Sequence, residues 1–160
     1  MDLRDITMDD LALYEDMVTD PAMMAELGGP LPRDGLKAKL RSIVDDVETG
    51  RIWYSVIVDA GVPAGTVCVW SHSREGEPIN EIGWMVHTSF QGRGLATEAV
   101  GAYLERDRDE QRWGEIRAYP GVTNAASNAI CRKTGFALFG ETKVDYAGRM
   151  LRVNDWRIAT

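Results

Sequence analysis

The run Gln91 to Ala99, QGRGLATEA, constrains the fold more than any other stretch of the chain. Gly92 and Gly94 carry no side chain, so the main chain can bend tightly there and a ligand can approach its N–H groups. A helix is expected to start at Leu95, and the first N–H groups of a helix have no partner inside it. A bend that opens straight into a helix makes an anion site suited to a pyrophosphate, to which Arg93 can add an ion pair. A Walker loop is excluded, because it would end in Gly-Lys-Ser/Thr. A dinucleotide fingerprint is excluded too. It needs a small residue where Thr97 sits and an acid after the next strand, where Tyr119-Pro120 stands. Taken alone, two glycines before a helix also serve as a plain turn.

The rest of the chain reads as strands and helices in the order β-α-α-β-β-β-α-β-α-β-β. Leu3 to Thr7 is a short strand. Asp9 or Thr7 can cap a helix to Val18, and Asp34 can cap a second that ends near Gly50. IWYSVIV and AGTVCVW form a hairpin about Asp59 to Pro63. A polar loop from Ser71 to Pro78 leads to a strand, Ile79 to His87. A helix from Leu95 to about Trp113, a strand from Glu115 to Tyr119 and a helix from Asn124 to Thr134 follow. The last helix stops at Gly135. Phe136 to Val144 and Met150 to Ile158 close the chain as an antiparallel pair, with a bulge expected between Val153 and Trp156. The fold class is therefore α+β (mixed α/β). A central, mostly antiparallel mixed sheet carries helices on both faces, in a single domain over residues 1–160.

The chain's net charge of -7 disfavours a general nucleic-acid binder, which needs a basic face, and mildly favours a cationic partner. The N-terminal MDLRDITMDD has charges where a signal peptide needs an apolar core, and no uncharged stretch can span a bilayer. Two cysteines, Cys68 and Cys131, are too few for a disulfide framework. The expectation is a cytoplasmic protein without membrane contact. No His, Cys or carboxylate cluster has metal spacing, so no metal is expected.

With the strand before it, the glycine turn resembles motif A of the Gcn5-related N-acetyltransferase (GNAT) superfamily, Gln/Arg-x-x-Gly-x-Gly/Ala, through Gln91, Gly94 and Ala96. NAASNAICRKTGF, Asn124 to Phe136, resembles a segment of the branch that acetylates ribosomal-protein N-termini, as do DPAMMAELGG and NDWRI. The resemblance implies acetyl-coenzyme A as donor and coenzyme A as product. It implies that pantetheine pairs with the main chain of Met85, Val86 and His87. The pyrophosphate would lie on Gln91, Gly92, Arg93, Gly94, Leu95, Ala96 and Thr97, and Asn124 would bond the pantetheine arm.

Transfer to an amine needs a base, because most alkyl amines are protonated at neutral pH. Glu81 lies mid-strand, shares a face with Gly83 and Met85, and matches by position the general base of histone-acetylating members. Ile82 and Trp84 beside it would disfavour its charge. Many family members place a Tyr proton donor where this chain has Cys131. Ser127 matches the serine used in the ribosomal-protein branch and is preferred as the donor, with Cys131 as the other option or as a small buried residue. His87 is a second base or a capping residue, and His72 has no evident partner. Tyr14, Trp53, Tyr54, Trp70 and Trp84 line an acceptor pocket or belong to the core. Asp16, Asp20 and Glu26 are candidates to attract an ammonium group.

The function expected is transfer of an acetyl group to a primary amine of a small molecule, an antibiotic or a protein N-terminus. The competing readings are a non-catalytic acyl-CoA-binding module and a nucleotide-binding protein. Acyl length is open, and so is assembly, with a homodimer among the options.

Overall fold

One pair of neighbouring strands that stays together for a single residue pair organises the molecule. The computed structural model describes residues 1–160. The strands are β1 (Asp2–Asp5), β2 (Trp53–Asp59), β3 (Val62–Arg74), β4 (Glu77–Val86), β5 (Glu115–Ala118), β6 (Ala137–Tyr146) and β7 (Arg149–Ala159). The α-helices are α1 (Leu11–Thr19), α2 (Leu36–Glu48), α3 (Leu95–Glu110) and α4 (Ala125–Lys133). All seven strands join one sheet in the order β1-β2-β3-β4-β5-β7-β6. Every neighbouring pair is antiparallel except β4 and β5, which run parallel and meet only at Glu81 and Arg117. A parallel neighbour needs a crossover, and α3 supplies it.

The divergence after Glu81 has a visible cause. Just before it, the Asn80 amide donates to the carbonyls of Trp113 and Glu115 at 2.6 and 3.2 Å and clamps β5 to β4. Beyond Ala118 the chain follows β7 instead. Asn154 N donates to Pro120 O at 2.9 Å, Val122 N donates to Arg152 O at 3.2 Å, and Gly121 bridges Val153. The end of β4 is left with a neighbour on one side only.

Each sheet face has its own core. Against α3 pack Val67, Val69, Ile82, Ile116 and Trp156, with Ala99, Val100, Tyr103 and Leu104 from the helix. On the other face Tyr14 and Val18 of α1 meet Leu36, Leu40 and Val44 of α2 over Val56.

The element order agrees with expectation, and several boundaries do not. Thr7 caps the turn before α1 in a capping box with Asp10. Asp34 caps nothing: Gly35, at φ 85°, precedes α2 and no side chain closes that end. The expected loop from Ser71 to Pro78 is strand. β3 and β4 pair out to Arg74 and Glu77 around a turn at Glu75-Gly76. Polar residues hid it: Ser71 and Ser73 are exposed, while His72 and Arg74, which alternate with them, are half-buried. α3 stops at Glu110, where Gln111 turns left-handed at φ 48°. The bulge lies in β6, between Leu138 and Gly140, and not in β7. β7 is regular there, because Asn154 and Trp156 both reach Asn128, as alternate residues of one face must. Val153 is buried on the opposite face, which mimics a change of parity.

Asp107, fully buried in α3, fixes the C-terminal end of that helix. Its Oδ1 accepts from Trp113 N at 2.8 Å and Arg112 N at 3.1 Å, and its Oδ2 accepts from the Thr160 hydroxyl. Asp107→Ala strands these donors, each worth about 1–3 kcal/mol when buried without a partner. The expected loss is about 3 kcal/mol in urea unfolding, with a smaller loss for Asp107→Asn, which keeps an acceptor oxygen.

Candidate active site

The glycine turn is open in the way its sequence implies. Gly92 and Gly94 take φ of 77° and 82°, left-handed values that cost other residues energy, and a Cβ on either would touch nothing. The need for glycine there is conformational and not one of space. Between them they aim the main chain outward. The N–H groups of Gly92, Arg93, Gly94, Leu95, Ala96 and Thr97 have no acceptor in the chain. The first closed bond of α3 runs from Glu98 N to Gly94 O at 3.0 Å. No side chain caps the helix. Gly92, Arg93 and Gly94 are exposed, so solvent serves these donors until an anion displaces it.

The neighbouring side chains brace this turn. Gln91 Nε2 donates to Val86 O at 2.9 Å and ties the loop to the end of β4. The guanidinium of Arg93 reaches Asp59 at 3.1 Å and lies 5.1 Å from the Phe90 ring centre, so it is already engaged across the loop. His87 caps the short turn after β4, its Nδ1 accepting from Ser89 N at 3.3 Å.

Beside the turn, β4 lacks a partner after Glu81. Antiparallel pairing to β3 commits alternate residues. His87 N donates to Ala64 O at 2.8 Å, and with Met85 opposite Thr66 this register directs the main chains of Met85 and His87 toward β3. Of the three residues expected to pair with pantetheine, Val86 alone faces the gap, and Trp84 joins it. On the far side of the gap the chain runs on from β5 along β7 and into α4. Asn124 caps that helix, its side-chain oxygen accepting from Ser127 N at 3.0 Å. The Ser127 hydroxyl is half-buried and has no hydrogen bond within the chain. Cys131 lies one turn on, with 0% exposure and its thiol pushed up to about 12 by burial, so it faces the core and not the gap.

Asn128 positions α4. Its oxygen accepts from Trp156 Nε1 at 2.8 Å and Asn154 Nδ2 at 2.7 Å, and its amide donates to Gly121 O at 2.9 Å and Asn124 O at 2.8 Å. A buried amide with both ends satisfied pins α4 to β7. No periodic signal in the sequence marks it.

On the opposite sheet face Glu81 stands where β4 and β5 part. Burial pushes its carboxyl upward, against the pull of His72 and Arg74. Its Oε2 lies 2.8 Å from His72 Nε2, a partner concealed by placing His72 in a loop. Glu81 is opposite Trp70, and Tyr54 is opposite Cys68 on the same face. Tyr14 and Tyr146 pack with Tyr54 and Met85 there. Trp53 and Trp84 do not. Trp53 stacks edge-on against Tyr103 and Trp113 in the α3 core, and Trp84 packs on that core as well. Asp20 and Glu26 are engaged elsewhere. Asp20 accepts from Met23 N at 2.8 Å, and Glu26 accepts from the Thr123 hydroxyl at 2.7 Å. Asp16 is exposed.

No three His, Cys, Asp or Glu side chains gather where they could hold a metal, and no helix is long and apolar enough to cross a membrane.

Comparison with known proteins bears on this site. The ribosomal-protein-alanine N-acetyltransferase of Brucella melitensis superposes with a TM-score of 0.78 at 21% identity, covering 100% of both chains. An acetyltransferase of Salmonella typhimurium that modifies the N-terminal serine of ribosomal protein L7/L12 gives 0.81 at 20% identity, covering 99% of this chain and 94% of its own. The aminoglycoside acetyltransferase AAC(6')-Ib in complex with coenzyme A gives 0.78 at 18% identity, covering 98% and 93%. At these identities the likeness is one of fold. Among curated protein sequences no match was found. Residues 1–137 match the family described as Acetyltransferase (GNAT) domain. By that match over most of its length, the chain belongs to the GNAT acetyltransferases, enzymes that draw their acetyl group from acetyl-coenzyme A.

Proposed function

We propose that residues 1–160 form one domain that acetylates a primary amine by direct attack, with Glu81 as general base and Ser127 as proton donor. One observation carries the reading: the unpaired N–H groups from Gly92 to Thr97 stand beside a strand end that has lost its neighbour. That pairing suits a ligand with a diphosphate at one end and an amide-bearing arm at the other. Coenzyme A has both.

In this reading Gly92 to Thr97 bind the diphosphate, and Trp84 and Val86 hold the arm along the gap. Bound acetyl-coenzyme A supplies the thioester carbonyl. The chain contributes positioning and proton transfer. Glu81 removes a proton from the acceptor ammonium, and its burial makes it a stronger base than an exposed glutamate. The Ser127 hydroxyl, free of any internal bond, gives a proton to the departing sulfur. Asp20 and Glu26 hold internal hydrogen bonds and Asp16 stands exposed on α1, and in this reading Glu81 is the acid that meets a cationic amine. Tyr14, Tyr54, Trp70 and Tyr146 supply the apolar wall around it. Small amines, antibiotics and protein N-termini are the acceptor classes. The free thiols of Cys68 and Cys131 suit a reducing cytoplasm.

Gly94→Ala forces a left-handed backbone on alanine at about 1–2 kcal/mol. Calorimetry with coenzyme A should show about tenfold weaker binding, which is about 1.4 kcal/mol. Gly101→Ala, mid-helix with open space around it, should leave the affinity unchanged. Glu81→Gln should keep coenzyme A affinity and lose about 10²-fold or more in kcat. The wild-type kcat should fall on acidification through a pKa above the ordinary glutamate range, and Glu81→Gln should lack that limb.

The stability sign follows from the same raised pKa. Below the unfolded pKa, Glu81 is protonated in both states and contributes nothing. As pH rises above that value, ionisation favours the unfolded state. Glu81→Gln should therefore melt higher than wild type at neutral pH, with the gain vanishing in acid.

A further inference from the structure

Acetylation of an ammonium acceptor releases one proton to solvent. An ammonium gives up two protons as it becomes an amide, and the departing sulfur retains only one of them. The route for the other is a separate question from the identity of the base. Glu81 is poorly placed to discharge its proton to bulk water, since its side chain is only 22% exposed and Trp70 stands opposite it.

We propose that His72 carries this proton out: it accepts from Glu81 at Nε2 and releases the proton on Nδ1 to water. The inference rests on Glu81 being the base, as argued above. His72 Nε2 lies 2.8 Å from Glu81 Oε2, and its Nδ1 has no partner in the chain. His72 is the more exposed of the two, at 33%, and lies nearer the Glu75-Gly76 turn at the tip of the β3–β4 hairpin. The Trp70 ring stacks on the imidazole at 25° with centres 6.3 Å apart, which holds the ring plane. Imidazole is the side chain built to gain and lose a proton near neutral pH.

The surrounding groups leave this role to the pair. Arg74 on β3 is fixed to the Thr142 hydroxyl at 2.9 Å and to Lys143 O. Arg117 on β5 is held by Glu115 at 2.7 Å. Cys68 on β3 has its thiol pushed up to about 12 by burial, with Glu81 adding to the shift. The phenols of Tyr14 on α1, Tyr54 on β2 and Tyr146 on β6 are raised by burial as well. Burial therefore keeps these thiol and phenol protons in place at neutral pH.

The step balances. Glu81 takes one proton from the ammonium, and the freed nitrogen lone pair forms the C–N bond. The C–S bond breaks, its electron pair stays on sulfur, and Ser127 protonates that sulfur and recovers a proton from the acylated nitrogen. The proton on Glu81 passes to His72 Nε2 as the Nδ1 proton leaves to water. Glu81 is then ionised again, and His72, left with its proton on Nε2, regains the Nδ1–H form by exchanging protons with water before the next turnover.

The experiment compares wild type, His72→Ala, His72→Gln and Glu81→Gln. Acetyl-coenzyme A is the donor, and an alanine-initiated peptide, spermidine and kanamycin are the acceptors. Thiol release gives kcat across neutral pH, and calorimetry gives coenzyme A affinity. The expected result is a loss of about 10²-fold in kcat for both His72 variants at unchanged coenzyme A affinity. Imidazole added to the buffer should restore His72→Ala in a dose-dependent way. His72→Gln keeps a hydrogen bond to Glu81 but should stay slow with an altered pH profile. Wild-type kcat and pH profile in His72→Gln overturn the proposal, as does a slow His72→Ala that binds coenzyme A and ignores imidazole. If His72→Ala fails to bind coenzyme A, the His72→Gln profile decides. A slow Glu81→Gln beside a fully active His72→Gln sinks this inference alone, whereas a fully active Glu81→Gln sinks the Glu81 base itself.

Discussion

Main-chain N–H and C=O groups must find partners, and this fold withholds them at one place. Past Ala118 the chain stays with β7 through Pro120, Val122 and Gly121, and cannot also serve β4. The end of β4 is left one-sided. The crossover that makes β4 and β5 parallel also brings the start of α3 beside that end, with six donors in a row unsatisfied. The remaining architecture supports this arrangement. Asn80 holds the strands together up to Glu81, Asn128 fixes α4, and Asp107 fixes the other end of α3. Within a fold of shared neighbours at about 20% identity, these contacts are what this chain uses to keep the gap open.

The two faces of the sheet divide the chemistry. The groups proposed to bind the donor gather at the rim near α3 and α4. Glu81 opens onto the face covered by α1 and α2, among Tyr54, Trp70 and Tyr146. A carboxylate placed there is costly to ionise, which suits Glu81 to the general-base role proposed for it.

The sequence disclosed what depends on local backbone chemistry. Gly92, Gly94 and the helix after them are legible because a left-handed bend and an uncapped helix start have a compositional signature. The Thr7 cap and the Gly135 stop are legible for the same reason. Contacts set by cross-strand register are not. His72 looked isolated because serines on either side read as a loop, and its partner sits nine residues away across a hairpin. Asn128 carries no periodicity. The phase of β4 against β3 decides that Val86, and not Met85 or His87, faces the gap, and phase follows from long-range pairing. Asp34 misled because a good capping residue lies beside Gly35, whose backbone already ends the turn.

The central claim is that the donors from Gly92 to Thr97 are vacant in the free protein and become occupied by the diphosphate of coenzyme A. Amide NMR during a coenzyme A titration tests it directly. The account predicts fast solvent exchange at these amides in the free protein. On saturation they should shift and gain exchange protection, together with Trp84 and Val86. Coenzyme A binding that leaves the amides of Gly92 to Thr97 unchanged, or protection of them before any ligand is added, would contradict it.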